Sequence, residues 1–246
     1  MTFNIMHTDE DPLSPEFEAR RAEARKRLDS LDPAINAPVD LTPDPLRRAW
    51  FEAVYATAAG DPAQVPWANL SPHPLTQNWV NGQLRGMEGL RTLDVGCGLG
   101  DNAECFAAAG AKVTAFDLVP EAIAWAKRRF PDSTVDYQTG NLFELPDVWH
   151  QAFDLIHECY TLQALDVSMV PKALAQLASL LAPGGKLFII ARARAEDEVI
   201  SGPPWPLPPS FLEVARQAGL VPLMVEDIIA TSNVARRHWR ALLARA

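Results

Sequence analysis

Three glycines at alternating positions follow directly on a short apolar run: Leu93-Asp94-Val95-Gly96-Cys97-Gly98-Leu99-Gly100-Asp101-Asn102-Ala103. Glycine lets a chain turn sharply through left-handed backbone, and it lets a ligand approach closer than any Cβ permits. The apolar run before the loop and the alanine-rich stretch after it predict strand, loop and helix in that order. In an open α/β sheet such a junction is where ligands bind.

The pattern repeats along the chain. Strands are predicted over Thr92–Val95, Lys112–Phe116, Thr134–Gln138, Phe153–His157 and Lys186–Ala191. Helices are predicted over Asp101–Ala109, Pro120–Phe130 and Val170–Leu181, the last stopped by Pro183-Gly184-Gly185. This alternation implies a doubly wound, mostly parallel α/β sheet with helices on both faces and right-handed crossovers. A proline-rich loop, Gly202–Pro209, leads to a helix over Ser210–Ala218, ended by Gly219. An antiparallel pair, Val221–Ile229 and Val234–Leu243, closes the chain.

Ahead of the sheet lies a helical extension. Glu16–Leu28 reads as a charged helix opened by Ser14 and Pro15. A proline-rich loop, Asp32–Pro45, leads to a helix over Leu46–Ala59 that is apolar along Leu46, Trp50, Phe51 and Val54. Irregular chain from Val65 to Pro74 precedes a further helix, Pro74–Leu84. We divide the chain into an N-terminal helical extension or lid, 1–74, and a cofactor-binding domain, 75–246.

Charge narrows the partners. The formal charge of −9 and pI near 5 argue against nucleic acid, because neutralising several phosphates takes a basic patch. Of the two basic runs, Arg20–Arg27 is interleaved with Glu23 and reads as a solvated helix face; the other is Arg236–Arg240. Cys97, Cys105 and Cys159 form no CxxC pair and no metal-like cluster with histidine, so no metal is expected. The acidic, proline-containing Met1–Pro15 is unlike a secretory signal, and no apolar stretch approaches the ~20 residues of a membrane span. The expectation is a soluble, cytoplasmic protein without a membrane partner.

The glycine spacing chooses among cofactors. A nicotinamide-binding loop would read G-x-G-x-x-G with the pyrophosphate at the helix N-terminus. Here the spacing is G-x-G-x-G, and Asp94 stands two residues before the first glycine. A carboxylate there repels a pyrophosphate but can hold the ammonium of a methionine moiety, which favours S-adenosylmethionine over NAD. Asp117 ends the second strand 21 residues after Gly96, close to the ~20 expected for an acid that accepts from ribose hydroxyls; its other reading is a cap for the helix at Pro120. Asn141, in Gly140-Asn141-Leu142-Phe143, can donate to an adenine ring nitrogen while Leu118 and Leu142 cover the ring; its other reading is a turn asparagine.

Together these residues resemble the class I S-adenosylmethionine-dependent methyltransferases, from about Arg91 to Ala191. The strand Phe153-Asp154-Leu155-Ile156-His157 and the run Leu181-Ala182-Pro183-Gly184-Gly185-Lys186 share in the resemblance. It implies a seven-stranded Rossmann-like methyltransferase fold with a reversed final hairpin. It also implies cofactor roles for Asp94, Gly96, Gly98, Asp117 and Asn141, beside which we place Cys97, Leu118, Leu142 and His157. Gly202-Pro203-Pro204-Trp205 is similar to the G-P-P-aromatic loop of thiopurine and tellurite-type small-molecule methyltransferases.

The reaction implied is methyl transfer from S-adenosylmethionine, leaving S-adenosylhomocysteine, to a small molecule such as a thiol or other soft nucleophile. A protein acceptor, or a non-catalytic partner or sensor that binds the cofactor, are the alternatives. Aligning the reactants and excluding water supply much of the rate, and a general base is added for oxygen or nitrogen acceptors. His157, Glu158 and Tyr160 are the candidate bases, with His157 equally able to pack as a core residue. Arg192 and Arg194 share strand parity and can receive an anionic acceptor, or else pair with Glu196 or Asp197 at the surface. Trp67, Asn69, His73 and Trp205 are the candidate lid and substrate contacts.

Overall fold

The computed structural model describes residues 14–32, 35, 44–83, 86–230 and 236–246. The predicted loop over Asp32–Pro45, Leu84 at the end of the third helix and Val234 at the start of the last strand fall partly or wholly outside them.

Strand propensity and burial on both faces build the centre of the sheet. The strands are β1 (Arg91–Val95), β2 (Lys112–Asp117), β3 (Asp136–Thr139), β4 (Phe153–Cys159), β5 (Leu181–Arg192), β6 (Leu220–Ala230) and β7 (Arg236–Arg245). They form one seven-stranded sheet in the order β3-β2-β1-β4-β5-β7-β6. The first five pair in parallel, and β7 runs antiparallel to both β5 and β6. This is the Rossmann-like fold of class I methyltransferases, with its reversed final hairpin. The order turns around between β1 and β4, so the crevice at their carboxyl ends is the place for a ligand.

The helices are α1 (Pro15–Leu31), α2 (Arg48–Ala58), α3 (Pro74–Gly82), α4 (Asp101–Ala108), α5 (Pro120–Arg129), α6 (Val170–Leu180) and α7 (Phe211–Gln217). Leu93, Val95, Ile156, Leu187 and Ile189 pack on one sheet face under α6 and α7. Val113, Ala115, Leu155, Phe188 and Ile190 pack on the other with Val80, Phe106 and Ile123. Ser14 Oγ accepts from the Phe17 N–H and caps α1, worth about 1 kcal/mol.

Two expectations change. Strand β5 begins at Leu181, directly after α6, because Leu181 pairs with Phe153 before the ladder resumes at Lys186 opposite Leu155. Pro183-Gly184-Gly185 is therefore an irregularity inside the strand, where no side chain fits at Gly185: a Cβ would lie 2.8 Å from the Phe153 carbonyl oxygen. The basic run on α1 is not simply a solvated face. Arg21 lies on the buried stripe Phe17, Arg21, Ala24, Leu28 and donates to the Ala68 carbonyl and, at 3.0 Å, to Asn69 Oδ1.

The N-terminal helices share a core with the glycine loop. Tyr55 and Ala58 of α2 pack with Val65, Ala68, Leu99, Val119, Ala122 and Trp125. Among the described residues no helix is long and apolar enough to cross a membrane.

Candidate cofactor and acceptor site

Strand β1 delivers Asp94 to the crevice at 1% exposure. Its Oδ1 lies 2.6 Å from His157 Nδ1 on the neighbouring strand, where Asp94 and His157 are register partners. An ionised carboxylate only accepts, so Nδ1 donates, and His157 Nε2 meets Thr76 Oγ1 of α3 at 3.0 Å. The second oxygen, Asp94 Oδ2, is buried without a protein partner. A desolvated carboxylate oxygen left unmatched is costly, and a bound cation or donor would satisfy it.

Beyond Asp94 the chain turns through Gly96 and Gly98, both in left-handed backbone at φ 63° and 53°. A side chain at Gly96 would collide with Thr161 Oγ1, whose hydroxyl donates to the Val95 carbonyl at 2.9 Å. At Gly98 a Cβ would meet only the Tyr55 hydroxyl, at 3.5 Å, so the loop there offers backbone to whatever lies above it. Tyr55 is buried over this loop and accepts from Trp67 Nε1 at 3.1 Å. Burial, then the neighbouring charge of Asp117, pushes its phenol well above the usual range.

Asp117 closes β2 with both oxygens engaged by backbone: Oδ2 accepts from Gly98 N–H at 3.0 Å and Oδ1 from Val119 N–H at 2.9 Å. The Val119 bond leads into α5, as the cap reading expects, and the Gly98 bond ties the acid to the glycine loop. Each oxygen keeps a further lone pair. Burial raises its pKa to about 6, against the opposing effect of the two N–H donors. Asn141 Oδ1 accepts from Phe143 N–H at 3.1 Å, so the amide NH2 is the end left to donate outward. Leu118 is half-buried at this edge; Leu142 is 7% exposed and belongs to the core with Phe116 and Trp149. Cys97 N–H donates to the Phe116 carbonyl, and burial holds its thiol well above the usual range.

The three candidate bases separate. His157 is fully buried between Asp94 and Thr76 and faces no open space. Glu158 points to the opposite sheet face, since neighbours on a strand alternate; its Oε1 accepts from Thr161 and Leu162 N–H at 2.6 and 2.8 Å. Tyr160, in left-handed backbone at φ 69°, lies between two histidines. Its hydroxyl lies 2.7 Å from His238 Nε2 and 3.0 Å from His73 Nε2.

The outer contacts of these rings set the direction of that chain. His73 Nδ1 accepts from Leu75 N–H at 3.2 Å, so its Nε2 carries the proton and donates to Tyr160. His238 Nδ1 sits 3.0 Å from the Arg236 carbonyl and must donate, so its Nε2 accepts from the tyrosine hydroxyl. Burial keeps both rings neutral: it is the main cause lowering His73 to about 3, and with the nearby Arg192 charge it lowers His238. Burial also raises the Tyr160 phenol.

The predicted arginine pair does not converge. Arg194 is spent on the carbonyls of Ala195, Glu196, Glu198 and Pro206, which shape the loop after β5. Arg192 instead lies opposite His238 in the β5–β7 register. Trp67 packs among Trp50, Phe51 and Tyr55, and Asn69 is held by Arg21. Trp205 anchors its loop through a backbone bond to the Gln163 carbonyl, with its ring 5.8 Å from the Arg47 guanidinium. Sequence reasoning missed Tyr55, Thr76, Arg236 and His238. Tyr55 left a signal, extending the stripe Phe51, Val54, Tyr55, Ala58 at helical spacing; the others come from distant segments.

A cavity of about 510 Å³ lined by Arg91, Lys112, Thr134, Trp149 and Phe153 opens at the amino edge of the sheet, away from all these groups. Among the described residues no cluster of three or more His, Cys, Asp or Glu side chains is arranged to hold a metal.

Residues 92–185 match the family described as Methyltransferase domain. Over these residues the chain resembles the class I S-adenosylmethionine-dependent methyltransferases. In sequence this chain is 36% identical over 147 residues to the ubiquinone biosynthesis O-methyltransferase of Xanthomonas euvesicatoria, an overlap of 58% of this chain and 56% of that one. The match thus spans about half the length of these curated relatives. In fold it resembles the 1,6-didemethyltoxoflavin-N1-methyltransferase of Burkholderia thailandensis, solved with its substrate and S-adenosylhomocysteine (TM-score 0.64, 17% identity, 87% and 94% of the two chains). It also resembles the N-methyltransferase NodS of Bradyrhizobium japonicum, in complex with S-adenosylhomocysteine (TM-score 0.60, 20% identity, 79% and 97%).

The family cofactor, S-adenosylmethionine, fits the residues present. An unmatched buried carboxylate oxygen suits its ammonium, the missing Cβ at Gly98 suits close approach to the backbone, and the lone pairs of Asp117 suit a ribose diol.

Proposed function

We propose that this methyltransferase transfers the methyl group of S-adenosylmethionine to a hydroxyl oxygen of a small molecule. The carrying observation is the directed chain His73–Tyr160–His238, which hangs from the end of β4, next to the glycine loop of β1. A proton path is of most use where the acceptor must lose a proton, which shifts the reading from a soft thiol toward a hydroxyl. The O-methyltransferase name of the Xanthomonas relative supports the same choice of atom.

When bound, the cofactor supplies an activated methyl carbon on a sulfonium. The protein does the rest. Asp94 holds the amino group, Asp117 accepts from the ribose hydroxyls, and the Asn141 amide donates to the adenine. Tyr55 and Trp67 exclude water from above the glycine loop. The Tyr160 hydroxyl receives the acceptor's proton as its own passes to His238 Nε2, so that no buried tyrosinate has to form.

Asp117→Ala is expected to weaken S-adenosylhomocysteine binding at least tenfold, about 1.4 kcal/mol. Because the carboxylate form accepts from the ribose, affinity in the unaltered protein should also fall as the pH drops below about 6. Calorimetry across pH 5–8 checks both, and a flat profile or an unchanged dissociation constant removes the ribose role.

Methyl-labelled cofactor tests the reaction itself. With a panel of small hydroxyl compounds, label should enter a small product, and Tyr160→Phe should lower kcat about 100-fold or more while leaving S-adenosylhomocysteine affinity intact. Label in polypeptide would point to a protein acceptor. Cofactor binding without any transfer would leave the chain a sensor or partner.

A further inference from the structure

Arg192 is an anomaly in a protein of net charge −9. Among the described residues it has no ion-pair or hydrogen-bond partner for its side chain, and its Nε is buried without an acceptor. The charge of Glu198 reaches it only weakly, and that carboxylate accepts from the Ala195 N–H. On the facing strand, Arg236 pairs with no carboxylate among the described residues, although its neighbours Arg237 and Arg240 pair with Asp227 and Glu226.

Register brings the two arginines together. Arg192 is directly opposite His238, so their side chains share a sheet face. Arg236 lies two residues along the same strand and therefore on that face also. This is the face from which His238 reaches the Tyr160 hydroxyl.

We infer that Arg192 and Arg236 form a subsite for an oxyanion, a carboxylate or phosphate, carried by the methyl acceptor itself. Guanidinium groups bind such anions through paired N–H donors, and an acceptor seated there would satisfy the orphaned Arg192 Nε. The subsite lies beside the reacting hydroxyl's partner: Arg192 faces His238, whose Nε2 is 2.7 Å from the Tyr160 hydroxyl. The site also has a chemical consequence. Burial first, and then the charge of Arg192, makes His238 a poor proton acceptor; an anion between the arginines offsets the second of these and improves the base when the acceptor is in place.

This assignment rests on the proposed transferase reading, and the test separates the two. Protein saturated with S-adenosylhomocysteine is titrated by calorimetry with benzoate, phenyl phosphate and benzamide. At least one anion should bind tighter than about 10 mM and at least tenfold better than the neutral amide. Arg192→Gln and Arg236→Gln should each erase that preference while the S-adenosylhomocysteine dissociation constant holds steady, and the exposed control Arg128→Gln should change neither. Whichever anion prevails names the group. Equal binding of benzamide, no anion binding, or anion binding indifferent to both substitutions overturns the subsite. Loss of S-adenosylhomocysteine binding by the unaltered protein would instead remove the reading beneath it.

Discussion

Asp94→Ala is expected to reduce cofactor affinity at least 100-fold, about 2.7 kcal/mol, and to lower the unfolding free energy by about 3 kcal/mol. Two oxygens of one carboxylate carry the two effects. Oδ1 takes the His157 Nδ1 proton at 2.6 Å in a setting where the histidine is 0% exposed, and removing it leaves a buried donor unmatched. Oδ2 is the orphan offered to the ammonium. Asp94→Asn separates them: the amide oxygen still accepts from His157, so most of the stability should return, while the missing charge keeps affinity low. Denaturant unfolding and calorimetry on both variants check this. An Asp94→Asn protein that binds as tightly as the original would take the ammonium away from Asp94.

The second large effect concerns Glu158, which is fully buried with Oε2 unpartnered. Burial raises its pKa to about 8, opposed by the Leu162 and Thr161 N–H donors. A carboxyl that titrates higher in the folded chain than in the unfolded one favours folding while protonated. Its contribution is full below about pH 4.5, declines as the pH rises toward 8, and is gone above that. Glu158→Gln carries no proton to lose. Relative to the unaltered protein, it should therefore gain about 3 kcal/mol of stability between pH 5.5 and 8.5. Comparing the two proteins cancels the opposing contributions of other groups, such as His73. Parallel pH profiles of unfolding would show that Glu158 stays ionised in the fold.

Much of this was legible in the chain because it is local. Strand, glycine loop and helix around 93–103 lie within one stretch, and the spacing from Gly96 to Asp117 is one crossover. Alternation of strands and helices predicts the sheet without long-range information. The acceptor side was not legible because it is assembled from afar: Tyr160 meets His73 across 87 residues and His238 across 78. Arg192 could be singled out, but its companion could not, since choosing Arg236 over Arg194 requires the β5–β7 register. One ambiguity was resolvable in the sequence. His157 and Glu158 are adjacent on a strand and so face opposite sides; they could never have served one site together.

The crevice between β1 and β4 is the proposed seat of a sulfonium nucleoside. Titration of the purified protein with S-adenosylhomocysteine, set against NAD under identical conditions, measures this directly. Saturable one-to-one binding of the nucleoside, with no heat from the dinucleotide, is the result the structure predicts; binding of NAD in its place, or of neither, would contradict it.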